Sequence, residues 1–258
     1  MEKYAIFIDI DGTILPKHAD VPKENVRAMK EAISKGHYVF INTGRSYEYI
    51  PDEIKNGLPI SGIVAALGTN IIFENKVVKS VVLDKEDLKR IYRIIEKTDT
   101  SCIYEGENML VWQGQNSKKI WSCATEEFIL TSEKEFDTKF AAARISKTSV
   151  LPKPSKEIID GIKKMFYVIE MPKYIEIVSK GYSKGVGMIE TIGMLGIKRE
   201  NCIAIGDSEN DLDMMRAAGI SVAMGNSPDG VKKECDFVTL PCEDGGVAYA
   251  IDKLVLKK

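Results

Sequence analysis

Tyr4-Ala5-Ile6-Phe7-Ile8-Asp9-Ile10-Asp11-Gly12-Thr13 decides how this chain is read. A run of strand-forming apolar and aromatic types leads into two carboxylates and a turn at Gly12. The pattern predicts a buried strand ending at Asp9. In open α/β sheets, ligands bind just beyond the carboxyl ends of the strands. Two aspartates separated by one residue repel each other there unless a cation or a shared proton intervenes. That penalty points to chemistry rather than packing. An EF-hand calcium loop fits poorly, because Gly12 comes too early and a strand precedes it. A purely structural turn would leave the carboxylates uncompensated.

Downstream of this stretch, strands and helices alternate. Pro22 suits a first helical turn, Val26, Met29 and Ile33 form an apolar stripe, and Gly36 is a C-terminal stop. His37–Ile41 reads as a second strand, ending at Asn42-Thr43-Gly44-Arg45. A helix is expected from there to about Asn56, and a third strand at Ile63–Leu67. This rhythm predicts a parallel, doubly wound α/β sheet. The rhythm then changes. Asn70–Phe73 and Lys76–Val82 suggest a hairpin around Glu74-Asn75. Asp84 suits the cap of a helix whose apolar face is Leu88, Ile91, Tyr92 and Ile95. Short strands are expected between Cys102 and Trp112, about a turn at Gly106-Glu107-Asn108. A helix at Ser155–Lys164 and antiparallel strands at Met165–Ile169 and Tyr174–Val178 follow. Residues 82–182 therefore read as an inserted α+β domain between core segments 1–81 and 183–258. After Gly181 the α/β rhythm resumes. It predicts a helix striped by Val186, Ile189, Ile192 and Leu195, then a strand at Cys202–Ile205 ending at Gly206-Asp207. A helix through Leu212 and Met215, strands at Ile220–Ala223 and Phe237-Val238, and a helix over Val247–Leu256 complete the chain.

With 258 residues and 44% hydrophobic types, the chain can bury a sizeable core. Its 36 Lys plus Arg against 38 Asp plus Glu leave a net charge of −2, no footprint for nucleic acid. The cysteines, Cys102, Cys123, Cys202, Cys235 and Cys242, are odd in number and form no CxxC pair, as expected of reduced thiols. Asp9 cuts short the first apolar run, and no run is long enough to span a bilayer. The expectation is a cytoplasmic protein with no membrane partner, a monomer or homodimer. His18 and His37 lack metal-ligand spacing and read as solvated or structural. Trp112 and Trp121 read as packing residues rather than a stacking platform. Ser132–Lys139 reads as a solvated charged face.

The polar groups gather at element ends: Asp9 and Asp11, Thr43 and Arg45, Lys184, and Asp207, Asn210 and Asp211. In a parallel sheet these strand ends share one edge. Carboxylates from two of them would repel strongly, and Mg²⁺, which prefers hard oxygen ligands and often accompanies phosphate, relieves this. Thr43, the Gly44 amide and Lys184 are donors suited to phosphate oxygens. The set suggests phosphoryl transfer, with one carboxylate attacking phosphorus and another serving as acid and base.

Four motifs in order carry a family resemblance: Asp-x-Asp-Gly-Thr at 9–13, Thr-Gly-Arg at 43–45, Ser-Lys-Gly at 183–185 and Gly-Asp-Ser-Glu-Asn-Asp at 206–211. The chain resembles the haloacid dehalogenase superfamily, and within it the Cof-type phosphatases with an inserted type IIB (C2B) α+β cap. The resemblance implies that Asp9 is the nucleophile and a Mg²⁺ ligand. It implies that Asp11 is the general acid/base and ligates metal through its carbonyl, and that Asp207 is the remaining metal ligand. Thr43, Gly44, Lys184 and Asn210 would bind the phosphate, with Lys184 also steadying Asp9 and Asp211 standing behind the metal ligands. It leaves the role of Arg45 open. Gly68-Thr69-Asn70 departs from the Asn-Gly-Ala common in relatives. The implied activity is Mg²⁺-dependent hydrolysis of small phosphorylated metabolites, sugar phosphates or phosphorylated cofactors such as pyridoxal phosphate, through an aspartyl-phosphate, with the cap closing over the substrate. The alternatives are a phosphomutase of the same superfamily and a non-enzymatic phospho-aspartate sensor.

Overall fold

The computed structural model of the chain describes residues 2–106, 109–114 and 126–257. The expected turn residues Glu107 and Asn108, and Trp121 and Cys123, lie outside the described residues. Contacts divide the chain into two compact units: Met1–Gly44, Pro51–Lys79 and Ser183–Lys258 form the first, Arg45–Ile50 and Ser80–Tyr182 the second. The stretch Arg45–Ile50 joins the second unit, although the expected domain limits assigned it to the core.

In chain order the elements are β1 (Ala5–Ile8), α1 (Lys23–Ser34), β2 (Tyr38–Asn42), α2 (Asp52–Lys55), β3 (Gly62–Ala65), β4 (Asn70–Phe73) and β5 (Lys76–Ser80). Then come α3 (Lys85–Ile95), β6 (Ser101–Gly106), β7 (Met109–Gln113), β8 (Glu126–Leu130), β9 (Ile145–Leu151), α4 (Lys156–Lys163), β10 (Tyr167–Glu170) and β11 (Ile175–Val178). The chain ends with α5 (Lys184–Leu195), β12 (Cys202–Gly206), α6 (Leu212–Ala217), β13 (Ile220–Ala223), α7 (Asp229–Lys232), β14 (Phe237–Val238) and α8 (Gly246–Ile251).

The first unit is a mixed sheet in the order β14-β13-β12-β1-β2-β3-β4-β5. It is parallel from β14 to β3, and β4 turns back antiparallel on β3. The doubly wound expectation therefore holds for six strands, with the hairpin added at one edge. β1 is the middle of the parallel part, and every residue from Ala5 to Ile8 is fully buried. Each large side chain so buried contributes about 1.5–3 kcal/mol. One sheet face carries Phe7 stacked on Phe40 at 5.1 Å and packed with Met188, Ile192, Met214 and Met215. At α1, the buried Asn25 accepts from the Ala248 amide of α8 at 2.8 Å.

Four local expectations change, the first partly in the Arg45–Ile50 stretch of the second unit and the others in this one. No helix runs from Arg45 to Asn56: a 3₁₀ turn at Tyr47–Tyr49 and the short α2 replace it. Pro51 holds Ile50 extended, at ψ 125, and breaks the run. β3 stops at Ala65, because Ala66 and Leu67 take left-handed φ of 48 and 57. In α5 the predicted stripe is half right: Ile192 is buried and Leu195 packs against the core, but the first two positions face outward. Val186 and Ile189 are more than a third exposed, whereas Lys184, Gly185, Gly187, Met188, Thr191 and Ile192 are buried. The helix faces inward on its glycines: a Cβ on Gly187 would lie 2.6 Å from Gly68 Cα, and one on Gly185 2.8 Å from the Asp213 carbonyl. The final helix is regular only to Ile251, and a wider turn covers Asp252–Leu256.

The second unit is a sheet in the order β10-β11-β9-β6-β7-β8. Cys102, Tyr104, Val111, Val150, Ile175 and Ile177 on one face pack with Leu88, Ile91, Tyr92 and Ile95 of α3 and with Ile159 and Ile162 of α4. The α3 face is the predicted one, and Asp84 caps the helix by accepting from the Asp87 amide at 2.7 Å. Trp112 is fully buried against Ile103 and Leu110, as expected of a packing residue. The charged stretch Ser132–Lys139 is not wholly a solvated face: Phe136 within it is fully buried against Tyr104. The described cysteines are free thiols. Burial raises Cys102, and it pushes Cys202 up to about 12. His37 is structural: its Nδ1 accepts from the Tyr4 amide at 3.1 Å, and burial lowers its pKa.

Candidate active site

The parallel ladder delivers the predicted groups to the carboxyl edge of the first sheet. The Asp9 amide donates to the Ile205 carbonyl at 3.0 Å, so β1 stays in register with β12 up to the first aspartate. Asp9 is buried, whereas Asp11 is exposed on the turn beyond it. From β12 the chain enters Gly206-Asp207 and a 3₁₀ turn at Glu209–Asp211. Asp211 is fully buried and folds back, its Oδ2 accepting from the Asp207 and Ser208 amides at 3.0 and 3.1 Å.

Lys184 unites the two sides. Its Nζ donates to Asp9 Oδ1 and to Asp211 Oδ1, each at 2.7 Å, and the side chain is 2% exposed. The Ser-Lys-Gly stretch is legible in these contacts. Ser183 caps α5 by accepting from the Val186 amide at 3.1 Å, and the Gly185 amide donates to Asp213 Oδ2 at 2.7 Å. A cation in the first turn opposes the helix dipole, and here it is held by two carboxylates instead. The buried Asn42 fastens the same corner, its Nδ2 donating to the Lys184 carbonyl at 3.1 Å. No motif marks Asn42. Its only signal is an amide ending an otherwise apolar strand.

One ammonium between two carboxylates leaves the group short of positive charge, and Asp207 adds a further acid. Oxygens of Asp9, Asp207 and Asp211 lie within 4.8 Å of one another. Burial, and then the charge of Asp211, push Asp9 up to about 7 against the pull of Lys184. The same two causes push Asp207 up to about 6. The two carboxylates of Asp211 and Asp9 hold the Lys184 ammonium well above its usual value despite its burial. The acid group thus holds protons more tightly than ordinary aspartates do, and an all-oxygen donor set of this kind fits a hard divalent ion. Asp211 has both oxygens already engaged by Lys184 and backbone amides. Asp9 and Asp207 are therefore the better-disposed ligands. Gly12 is shaped to this acid group: its φ is +76, and a Cβ there would lie 2.5 Å from Asp207 Oδ2. Thr13 Oγ1 reaches Asp207 Oδ1 at 3.5 Å.

Thr43 follows β2, the neighbour of β1, and is 2% exposed; Gly44 is also buried. The Thr43 amide donates to Val64 and its carbonyl accepts from the Leu67 amide, so the left-handed Ala66-Leu67 turn holds this residue. Asn210 is half-buried beside Asp211, and its Oδ1 finds no protein partner among the described residues. Arg45 begins the stretch that clusters with the second unit, where its guanidinium donates to the Tyr49 carbonyl at 3.1 Å.

No motif pointed to a buried charged group in the second unit. Lys147 Nζ lies 2.7 Å from Glu176 and 3.3 Å from Glu105, and Ser46 and Ser149 donate to Glu105 at 2.7 and 2.6 Å. Its signal is the consecutive polar run Ser146-Lys147-Thr148-Ser149 between the apolar ends of β9.

A family model described as haloacid dehalogenase-like hydrolase matches residues 6–251. The putative phosphatase YkrA of Bacillus subtilis (strain 168) is 26% identical over 100% of both chains. The 5-amino-6-(5-phospho-D-ribitylamino)uracil phosphatase YcsE of the same organism is 31% identical, covering 97% of this chain and 95% of the relative. Among solved structures, the HAD subclass IIB sugar phosphatase BT4131 superposes with a TM-score of 0.83 at 25% identity, over 97% of this chain and 98% of that one.

Proposed function

We propose a reaction on the premise that the chain belongs to the haloacid dehalogenase-like hydrolase family and is a phosphatase. It is Mg²⁺-dependent hydrolysis of a small phosphorylated metabolite through an aspartyl-phosphate. The observation that carries this reading is Lys184, whose ammonium joins Asp9 to Asp211 while Asp207 stands close by. An Asp9 Oδ attacks phosphorus as the bond from phosphorus to the ester oxygen breaks. Asp11, exposed on the adjoining turn, gives its proton to that oxygen. Asp11, now ionised, takes a proton from water as the water oxygen attacks phosphorus. Asp9 is released and inorganic phosphate leaves. Lys184 orients Asp9 and offsets charge on the phosphoryl oxygens, with Thr43, the Gly44 amide and Asn210 as further donors. Asp9, Asp207 and the Asp11 carbonyl would hold Mg²⁺, with Asp211 behind them. The bound ion would supply electrostatic stabilisation of the phosphoryl oxygens.

The substrate class is a phosphate ester of a polyhydroxylated molecule, a sugar phosphate first and a phosphorylated cofactor next. YcsE is named for a phosphorylated ribityl compound and BT4131 as a sugar phosphatase, which supports this choice. Residues 82–182 serve as the cap domain in this reading. The test is a panel of phosphorylated metabolites assayed with Mg²⁺ for free phosphate and compared by kcat/KM. Release of phosphate that vanishes in Asp9→Asn supports the proposal. An isomerised ester with no free phosphate would mark a phosphomutase, and no turnover of any ester would favour a phospho-aspartate sensor.

A further inference from the structure

Asn226 lies on the turn after β13 and is exposed, yet both ends of its amide are engaged. Its Nδ2 donates to the Gly12 carbonyl at 2.9 Å, across 214 residues of chain. Its Oδ1 accepts from the Cys242 amide at 2.9 Å. Cys242, 1% exposed, in turn donates its thiol to the Thr13 carbonyl at 3.0 Å. Two successive carbonyls of the turn beyond Asp11 are thus held from outside, by two residues that also hold each other.

The turn needs such a hold. Its amides are used internally, Gly12 to the Leu15 carbonyl at 3.1 Å and Thr13 to the Ile10 carbonyl at 3.3 Å, whereas the Gly12 and Thr13 carbonyls take their donors from the distant Asn226 and Cys242. Glycine adopts either sign of φ with little steric preference, so Gly12 does not keep its own conformation. Yet Gly12 lies against the Asp207 carboxylate, and Thr13 bonds to it. The setting of this turn fixes the spacing between the Asp11 backbone and Asp207.

We propose that Asn226, braced by Cys242, is a positioning residue that sets the Asp11-Gly12-Thr13 turn against Asp207 and thereby tunes the affinity of the acidic group for a divalent cation. The proposal rests on the reading of Asp9 and Asp207 as cation ligands. Groups that orient ligands in this way typically change metal affinity by about 10–100-fold when removed. Because Asn226 is exposed, its replacement should leave the fold intact.

The experiment titrates Mg²⁺ calorimetrically into metal-free wild type, Asn226→Ala, Cys242→Ala and Cys242→Ser. Hydrogen exchange of the Gly12 and Thr13 amides is followed without metal. Asn226→Ala and Cys242→Ala are expected to weaken Mg²⁺ about tenfold and to speed exchange at both amides. Cys242→Ser, which keeps a donor for Thr13, is expected to stay close to wild type in both readouts. Wild-type affinity and wild-type exchange in Asn226→Ala would overturn the positioning role alone. Absence of Mg²⁺ binding by the wild type would overturn the cation reading, and the proposal with it.

Discussion

Replacing Asp9 by Asn should make the metal-free protein more stable at pH 8 while abolishing turnover. Asp9, Lys184 and Asp211 together carry one more negative charge than positive when all are ionised. In the variant, the amide oxygen of the new side chain still accepts from Lys184, and the excess charge is gone. In the fold the Asp9 carboxyl is raised from 3.8 to about 7, first by burial and then by Asp211. The folded protein therefore binds this proton more tightly than the unfolded chain does. Below about pH 4 the group is protonated in both states, and the two proteins should be equally stable. Between about pH 4 and 7 the wild type loses about 1.4 kcal/mol per pH unit relative to Asp9→Asn. Above about pH 7 the difference levels off at about 4 kcal/mol. Urea unfolding of both proteins in EDTA, at intervals from pH 4 to 8, measures this directly. Adding Mg²⁺ at pH 8 should close the gap by stabilising the wild type more than the variant. A less stable variant at pH 8, or a difference that does not vary with pH, would refute the reasoning.

Lys184→Met removes the cation that two buried carboxylates share and should lower unfolding stability at pH 8 by about 3–5 kcal/mol, read by urea titration. Gly12→Ala forces a Cβ toward Asp207 in a left-handed conformation. It should destabilise by about 1–3 kcal/mol in thermal unfolding and weaken the Mg²⁺-induced rise in Tm. Asp11→Asn should slow hydrolysis of alkyl phosphates by about 10²–10⁴-fold, and of nitrophenyl phosphate far less, because a good leaving group needs little protonation. Equal losses in kcat on the two esters would rule out the acid role.

The strands and the acidic corner were legible because both follow from short-range patterning. A buried central strand is apolar throughout, Asp9 and Asp207 stand where such runs stop, and Lys184 opens the helix that follows the Ser183 cap. Helix faces were legible where side chains carry the burial, as in Leu88, Ile91, Tyr92 and Ile95. They were only partly legible in α5, where Ile192 and Leu195 pack as the stripe predicts but Gly185 and Gly187 bring backbone into close approach and turn Val186 and Ile189 outward. Asn42 and Asn226 escaped notice for a related reason. Each acts through a hydrogen bond to a carbonyl far away in sequence, and one amide side chain leaves no periodic trace. The Lys147 group was hidden because Ser146-Lys147-Thr148-Ser149 is an unbroken polar run that shows no apolar period, yet all four residues are buried.

The position of β1 bears on how the protein is made. Its partners are β2 on one side and β12 on the other, and β12 begins at Cys202. A ribosome adding about 5–20 residues per second needs on the order of ten seconds or more to travel from one to the other. Through that interval one edge of Ala5–Ile8 has no strand to pair with, an invitation to wrong partners. Ser80–Tyr182, by contrast, is continuous in sequence and rich in its own buried contacts, so it can condense while synthesis continues. Asp9 meets Lys184, Asp207 and Asp211 only once the last quarter of the chain has emerged. A truncated translation product thus lacks the assembled acidic corner, and the nascent chain has most need of chaperone cover along β1, the strand that leads into Asp9.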